Sequence, residues 1–262
     1  MCADSNQPSI SIQNLVKYYG DLKALKGIDL VIQPGEILGY LGPNGAGKTS
    51  TVKILVGMCE EYEGEVFVGG HNIRTDSLIV KQRIGYVPES AALYESLTPM
   101  EFLRFIGRVH GISDSSIDDR AARLLELFDL GENMNSRMST FSKGMRQKVL
   151  IISSMIHNPD ILFLDEPLTA LDANTTLIVK EVISGLSESG KTIFYSSHVM
   201  DVVERVCHRI VILNKGEIVA DGTFEELQRM SKRGSLESIF TQLTSDESQQ
   251  EVASAVLDVI RG

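Results

Sequence analysis

The chain has 262 residues, a formal net charge of −10 at pH 7, 43% hydrophobic residues and 23% charged residues. These values are typical of a globular protein with a sizeable core. The acidic excess argues against nucleic acid or anionic lipid as the main partner, since both are bound through an excess of Lys and Arg.

Nothing in the chain has the pattern of a membrane-spanning or targeting segment. The N-terminus lacks a basic stretch followed by an apolar one, and the most apolar run, residues 149–156, is far too short to cross a bilayer. Three scattered cysteines without a C-x-x-C spacing indicate reduced thiols. We therefore expect a cytoplasmic protein with no membrane span of its own.

The beginning of the chain is rich in short strand patterns. Apolar and polar residues roughly alternate over 9–15 and 27–32, and further short strands are predicted at 64–68 and 83–87. Together these segments predict an antiparallel β subdomain that wraps the start of the core.

A phosphate-binding loop interrupts these strands. Residues 42–49 match G-x-x-x-x-G-K-[ST], in which backbone N–H groups hold phosphates, the lysine reaches the outer ones and the threonine hydroxyl ligates Mg²⁺. A predicted buried strand at 37–41 precedes the loop, and a predicted helix at 49–58 aims its N-terminal dipole at the phosphates. The predicted nucleotide-binding residues here are Gly42, Pro43, Asn44, Gly45, Ala46, Gly47, Lys48, Thr49 and Ser50.

The pattern then becomes helical. A capping box begins at Thr98, a second helix ends at Gly131, and Ser142 caps a third helix that ends before Pro159. These helices predict a helical subdomain, at about 90–158, that is inserted into the core.

Two strands that are apolar throughout follow, at 161–164 and 192–196, with a helix at about 174–188 between them. Uninterrupted apolar strands are typical of a parallel sheet covered on both faces. We therefore predict an α/β fold, with a P-loop NTPase core, an antiparallel β subdomain and an inserted helical subdomain.

Polar residues with catalytic potential end both of these strands. Asp165 and Glu166 lie at the carboxyl edge, where α/β sheets bind their ligands. An aspartate there can hold Mg²⁺, and the glutamate beside it can orient or deprotonate the water that attacks a γ-phosphate. His198 follows the second strand and can donate to the same phosphate, although a lone histidine there is as often a packed or surface residue.

With these motifs the chain resembles a known family, the nucleotide-binding subunits of ABC transporters. The resemblance extends over about 10–223, with six motifs in the family's order. They are Tyr19 (or, as the weaker candidate, Tyr18) as the aromatic that stacks on adenine, 42–49 as Walker A, Ser142 to Met145 as the signature, 161–166 as Walker B, Thr169 to Asp172 as the D-loop, and His198 as the switch histidine.

The resemblance implies ATP and Mg²⁺ as cofactors and a head-to-tail dimer, homomeric or heteromeric, with two ATP molecules between its subunits. Each ATP would lie on one Walker A loop and be covered by the partner's signature helix. The implied residues are Glu166 and His198 for catalysis, Thr49, Asp165 and Glu89 for the metal, and Tyr19, Ser142, Gly144 and Asp172, with the phosphate loop, for ATP. Serine also caps many helices for local reasons alone, so Ser142 has a purely structural alternative.

Three positions depart from the family's usual pattern. Glu89 stands in place of a glutamine that senses Mg²⁺ and γ-phosphate, and a carboxylate there can reach Mg²⁺ but would repel phosphate. The signature reads Phe-Ser-Lys-Gly-Met instead of Leu-Ser-Gly-Gly-Gln, and Thr169 replaces a serine. These variants, together with residues 235–244, are similar to those of ATPases that serve exporter-type permeases.

We therefore predict an ATP-hydrolysing motor subunit that binds an integral-membrane permease at the inner face of the cell membrane, with export favoured. Its ATPase domain is predicted at 1–225 and a C-terminal helical tail at 226–262. The main alternative is a soluble ABC-type ATPase in DNA repair or translation, which usually carries a coiled-coil insertion or a second ATPase domain. A P-loop nucleotide kinase would lack the signature and the switch histidine, and Glu166 and His198 argue against a catalytically idle regulator.

Overall fold

The computed structural model describes residues 7–89, 93–231, 234–244 and 259–260. Within them, ten strands and nine α-helices follow one another along the chain. The strands are β1 (Ile10–Tyr19), β2 (Leu22–Ile32), β3 (Ile37–Leu41), β4 (Glu63–Val68), β5 (His71–Asn72), β6 (Ile84–Val87), β7 (Ile161–Asp165), β8 (Thr192–Ser196), β9 (Arg209–Asn214) and β10 (Glu217–Gly222). The helices are α1 (Lys48–Leu55), α2 (Ser77–Arg83), α3 (Pro99–Val109), α4 (Asp114–Leu127), α5 (Lys143–Met155), α6 (Ala173–Glu188), α7 (Met200–Val206), α8 (Phe224–Ser231) and α9 (Leu236–Thr244).

An antiparallel sheet in the order β2-β1-β4-β5 forms the first layer, as predicted. Its hairpin is longer than the alternation indicated, because β1 and β2 remain paired as far as Tyr19 opposite Leu22. The alternation is lost where the register shifts between Ile12 and Leu15, around Asn14 with its positive φ of 48°. A bulge of this kind places neighbouring side chains on the same face, so the sequence pattern ends before the strand does.

A second sheet forms the centre of the fold, in the order β10-β9-β3-β8-β7-β6. All of its pairings are parallel except that of the β9–β10 hairpin. Alternate residues of β7 belong to two different clusters of buried side chains, with Leu162 in one and Phe163 in the other. Both faces are therefore covered, which explains why these strands are apolar throughout. The predicted α/β fold with its antiparallel sheet is confirmed.

Helices α3, α4 and α5 occupy most of the predicted helical subdomain. Thr98 and Glu101 form the capping box at the start of α3, and the Ser142 hydroxyl accepts the Met145 N–H at the start of α5. Two further short helices, α2 and α7, were not predicted. Neither has a side-chain cap, and seven residues are too few for a clear helical period.

The predicted helical tail begins with α8 and α9. Leu236 and Ile239 of α9 are buried in the core cluster that also holds Val203 of α7, so this part of the tail packs on the central body. Residues 245–258 of the predicted tail lie outside the described residues, whereas Val259 and Ile260 are exposed. No helix in the described ranges is long and apolar enough to span a bilayer.

Candidate functional site

A cleft of about 810 Å³ opens where β3, β7 and β8 end, at the carboxyl edge of the central sheet. Crevices at this edge are the usual ligand sites of α/β sheets. Its walls are formed by Tyr19, Leu22, Ala24, Gly42, Pro43, Asn44, Gly45, Gly47, Lys48, Thr49, Ser50, Glu89, Asp165, Glu166, His198, Met200 and Phe240. The fold thus brings together residues that are far apart in the chain.

The phosphate loop connects β3 to α1 and forms one wall. Gly47, the N-cap of α1, has φ 113°, and a Cβ there would lie 2.6 Å from Cδ2 of Leu25. Only glycine fits this backbone and this space. Ala46 does not contribute a side chain to the cleft: it is buried, and its N–H donates to the Pro43 carbonyl at 3.1 Å.

Lys48 is the cation of the cleft wall. Its Nζ donates to the carbonyl oxygens of Gly42 at 2.6 Å and Pro43 at 3.3 Å. Burial lowers its pKa, while the nearby carboxylates, of which Glu166 is the strongest and Asp165 the next, act in the opposite direction. An incoming phosphate would therefore meet a cation whose present partners are neutral carbonyl groups.

Asp165, the last residue of β7, is a buried acid of the cleft wall. Its Oδ2 is buried without a hydrogen-bond partner, and burial raises the pKa of the carboxyl group. No three His, Cys, Asp or Glu side chains in the described part of the chain are arranged to hold a metal by themselves. Mg²⁺ usually takes only one or two carboxylates, with phosphate oxygens and waters as its other ligands. The all-oxygen set Asp165, Glu89 and Thr49 therefore fits Mg²⁺ bound together with a phosphate.

Glu166 and His198, predicted separately, lie in direct contact. The His198 Nδ1 is 2.7 Å from the Glu166 Oε1, and the Ser197 hydroxyl donates to Oε2 at 3.1 Å. Because a carboxylate only accepts hydrogen bonds, Nδ1 carries the proton. The Glu166 N–H donates to the Ser196 carbonyl at 2.9 Å, which holds the residue in place at a positive φ of 50°. The acid is buried, whereas 71% of the His198 side chain is exposed to the cleft and solvent.

Tyr19 reaches the cleft and Tyr18 does not. The Tyr19 ring is about half exposed, its hydroxyl lies 3.3 Å from the Ser50 hydroxyl, and the Lys17 Nζ is 4.9 Å from the ring centroid. Tyr18 contacts Lys23 instead and is not part of the cleft wall. Of the two tyrosines considered, only Tyr19 is therefore placed to stack on a base bound there.

The residues of the predicted signature and D-loop lie outside the cleft of their own chain. Ser142 caps α5, and Gly144 lies so close to the D-loop that a Cβ would be 2.6 Å from the Ala170 carbonyl oxygen. Asp172 caps α6 and accepts hydrogen bonds from the Thr175 N–H and hydroxyl, which lower its pKa to about 2. None of these residues is therefore placed to contact a nucleotide bound in the cleft of its own chain.

Several wall residues were not predicted as site residues. Leu22 and Ala24 lie between two predicted strands, and Met200 lies two positions after His198. Ser197 is not part of the wall, but it hydrogen-bonds to Glu166 and was also absent from the predicted set. Phe240 comes from α9 in the tail. Its helical spacing indicates burial alone, so nothing in the sequence pointed from Phe240 to the nucleotide cleft.

Comparisons with known proteins agree with this geometry. The model of a family described as ABC transporter matches residues 25–169. The linearmycin resistance ATP-binding protein LnrL of Bacillus subtilis (strain 168) is 38% identical over 218 residues, which are 83% of this chain and 70% of LnrL.

Two solved structures are similar over most of their length. An ATP-binding subunit of an ABC transporter is 30% identical, with a TM-score of 0.85 over 90% of this chain and 99% of its own. A dimeric ATP-binding cassette in a post-hydrolysis state, bound to ADP and Pi, is 26% identical, with a TM-score of 0.75 over 82% of this chain and 98% of its own.

Proposed function

The chain belongs to the ABC transporter family, and from that premise we propose that it powers export through a separate membrane permease at the inner face of the membrane. It is an ATP-binding ATPase subunit, as its motifs predicted. Export is supported by the similarity to LnrL, which is named for resistance to linearmycin.

The contact between Glu166 and His198 carries the catalytic part of the proposal. Both oxygens of Glu166 are engaged, one by His198 and the other by Ser197. We expect the exposed His198 to turn its proton towards a bound γ-phosphate, which would free Oε1 to accept the proton of an attacking water. Binding of the γ-phosphate would thus make Glu166 available as the general base.

The other wall residues divide the remaining tasks. Lys48 and the loop N–H groups hold the phosphates, and Tyr19 stacks on the adenine. Asp165, Thr49 and Glu89 hold Mg²⁺, which when bound supplies positive charge to the phosphate oxygens. The negative charge of Glu89 lies close enough to Asp165 to raise its pKa. We therefore expect Glu89 to ligate the metal and not to contact a phosphate oxygen.

The dimer is the second part of the proposal. Ser142 stands at the start of α5, where free backbone N–H groups and the helix dipole favour an anion. Because it does not face its own cleft, we propose that it covers the ATP of a second subunit. The dimeric state of the related cassette supports this arrangement.

Substitution of Glu166 by Gln tests the catalytic assignment. We expect Mg-ATP to bind while hydrolysis falls at least about a hundredfold, because an amide cannot accept the proton of the water. Binding is measured by calorimetry, turnover by phosphate release, and dimer formation with ATP by size-exclusion chromatography. Glu188→Gln, at the far end of α6, is the control and should keep the wild-type rate.

Wild-type turnover by Glu166→Gln would show that the base is wrongly assigned. The permease is tested separately, by reconstituting the subunit with each membrane protein that co-purifies with Glu166→Gln in ATP. A partner that stimulates the wild-type ATPase supports the transport role. Stimulation by DNA or ribosomes, with no effect of any membrane protein, would favour the soluble alternative.

A further inference from the structure

Lys17 is a lysine in an unusual place. Only 4% of the residue is exposed, although charged lysines are rarely buried unless they are paired. Its Nζ donates to the Glu61 carbonyl at 2.6 Å and lies 3.8 Å from the Glu61 carboxylate, whose side chain is almost fully in solvent. One neutral carbonyl and one solvated carboxylate compensate a buried ammonium poorly. The position of Lys17 therefore calls for a further partner.

That partner is the ring of Tyr19, whose centroid lies 4.9 Å from the Lys17 Nζ. This is within the range of a cation–π contact, which gains strength when the cation is desolvated. The Tyr19 hydroxyl is within 3.3 Å of the Ser50 hydroxyl. The ring is thus held on one face by an ammonium and at its tip by the residue that follows the phosphate loop.

The neighbouring tyrosine provides an internal comparison. Tyr18 also has a lysine over its ring, with the Lys23 Nζ 5.7 Å from the centroid. Lys23 is exposed, the distance is longer, and neither residue belongs to the cleft wall. The same pair of residue types therefore occurs twice on one hairpin, and only the tyrosine whose lysine is buried, Tyr19, lines the cleft.

We propose that Lys17 is a positioning residue for the nucleotide base. It occupies one face of the Tyr19 ring and fixes the ring, so that the opposite face receives the adenine. Holding an aromatic side chain in place before binding removes an ordering cost that would otherwise reduce affinity. Lys17 is not part of the cleft wall itself, so it acts through Tyr19. The inference rests on the proposed role of Tyr19 as the adenine platform.

The test compares two ligands in full-length Glu166→Gln protein, which removes hydrolysis. Mg-ATP carries a base, and Mg-tripolyphosphate carries only the phosphates. For Lys17→Met we expect the Kd of ATP to rise about fivefold while the Kd of tripolyphosphate stays constant, because only the base stacks on Tyr19. Lys23→Met is the matched control and should change neither Kd. A loss confined to ATP cannot come from general damage to the fold.

A second pair of measurements shows whether Lys17 acts through the ring. In a Tyr19→Ala background, Lys17→Met should have no additional effect on the Kd of ATP. An unchanged Kd of ATP in the single variant, an equal loss for both ligands, or the same loss without Tyr19 would each overturn the proposal. Should Lys17→Met fail to fold, Lys17→Gln replaces it, since it keeps a donor for the Glu61 carbonyl and removes the charge.

The two assignments fail in different ways. If Tyr19→Ala weakens ATP binding and the Lys17 variants do not, only the positioning role is wrong. If Tyr19→Ala leaves the Kd of ATP unchanged, the adenine platform itself is wrong and the role of Lys17 falls with it.

Discussion

The carboxyl groups of two aspartates, one in the cleft and one outside it, have pKa values that are shifted in opposite directions. Asp165 lies in the cleft, and Asp172 lies on the surface formed by the signature and the D-loop (residues 142–145 and 169–172), which we call the signature side. Burial raises the pKa of Asp165, and its Oδ2 has no hydrogen-bond partner. Hydrogen bonds from Thr175 lower the pKa of Asp172 to about 2, and the Lys148 Nζ lies 3.6 Å from it. One carboxylate is thus kept in an unfavourable environment, and the other is stabilised by its own chain.

The two regions therefore differ in how well the chain itself pairs their polar groups. In the cleft, the cation of Lys48 and the oxygen of Asp165 lack the partners that their chemistry favours, and Mg-ATP would supply both. On the signature side, Ser142 and Asp172 already cap helices of their own chain. We therefore expect substitutions in the cleft to affect chemistry first and substitutions on the signature side to affect stability or the partner subunit.

The largest expected effect is that of Asp165→Asn. Loss of the proposed Mg²⁺ ligand should slow ATP hydrolysis at least about a hundredfold. Because a buried charge is removed, the nucleotide-free protein should at the same time unfold at a higher temperature. Phosphate release and differential scanning calorimetry measure the two effects.

Asp160→Asn is the control at the other end of the same strand. Asp160 is half exposed and is paired with Arg83 at 2.8 Å and with Lys191 at 3.5 Å. It should keep the wild-type rate and gain no stability. A lower unfolding temperature for Asp165→Asn would contradict the view that this carboxylate is unfavourable to the fold.

The next prediction applies to a homodimer and tests whether Ser142 contacts the ATP bound to a second subunit. Lys48→Ala and Ser142→Glu should each be inactive, the second because its carboxylate would face the partner's γ-phosphate. Mixed in equal amounts, the two should recover about a quarter of the wild-type activity, since half of the dimers are mixed and each has one intact site.

The estimate applies to random pairing and independent sites, and each variant must first be shown to dimerise. If mixed dimers form without activity, crosslinking of position 142 to the neighbouring Walker A loop in ATP decides the matter. A crosslink indicates interdependent sites. Its absence indicates that Ser142 acts within its own chain.

The smallest effect concerns the pH dependence of stability. A carboxylate whose pKa is lowered to about 2 in the folded state stabilises the fold above its ordinary value near 3.8, and this contribution is lost as the pH falls towards 2. Asp172→Asn should therefore be less stable than the wild type at pH 7, and the difference should shrink as the pH falls below 3.8 and disappear below about pH 2. Urea unfolding at a series of pH values measures it. A constant difference at all pH values would show that Asp172 acts through its shape and not its charge.

Much of the fold was predictable because each element carries its own local signal. The apolar strands, the capping box at Thr98 and the Ser142 cap are all visible over a few residues. Predictions were incomplete where tertiary pairing extends an element beyond its pattern, as in the β1–β2 hairpin, or where an element is too short to show a period, as in α2 and α7. The proposed division at residue 225 stays a prediction.

The phosphate loop and the Asp165-Glu166 pair are determined by the sequence itself, because their chemistry requires particular residue types at fixed spacing within a few positions of the chain. Tertiary structure alone decided which residues face one another across the cleft. The contact of Glu166 with His198, the burial of Lys17 and the position of Phe240 in the cleft wall all depend on sheet order and helix packing. Parallel strands that are distant in sequence end at one edge, and no local pattern records which side chains meet there.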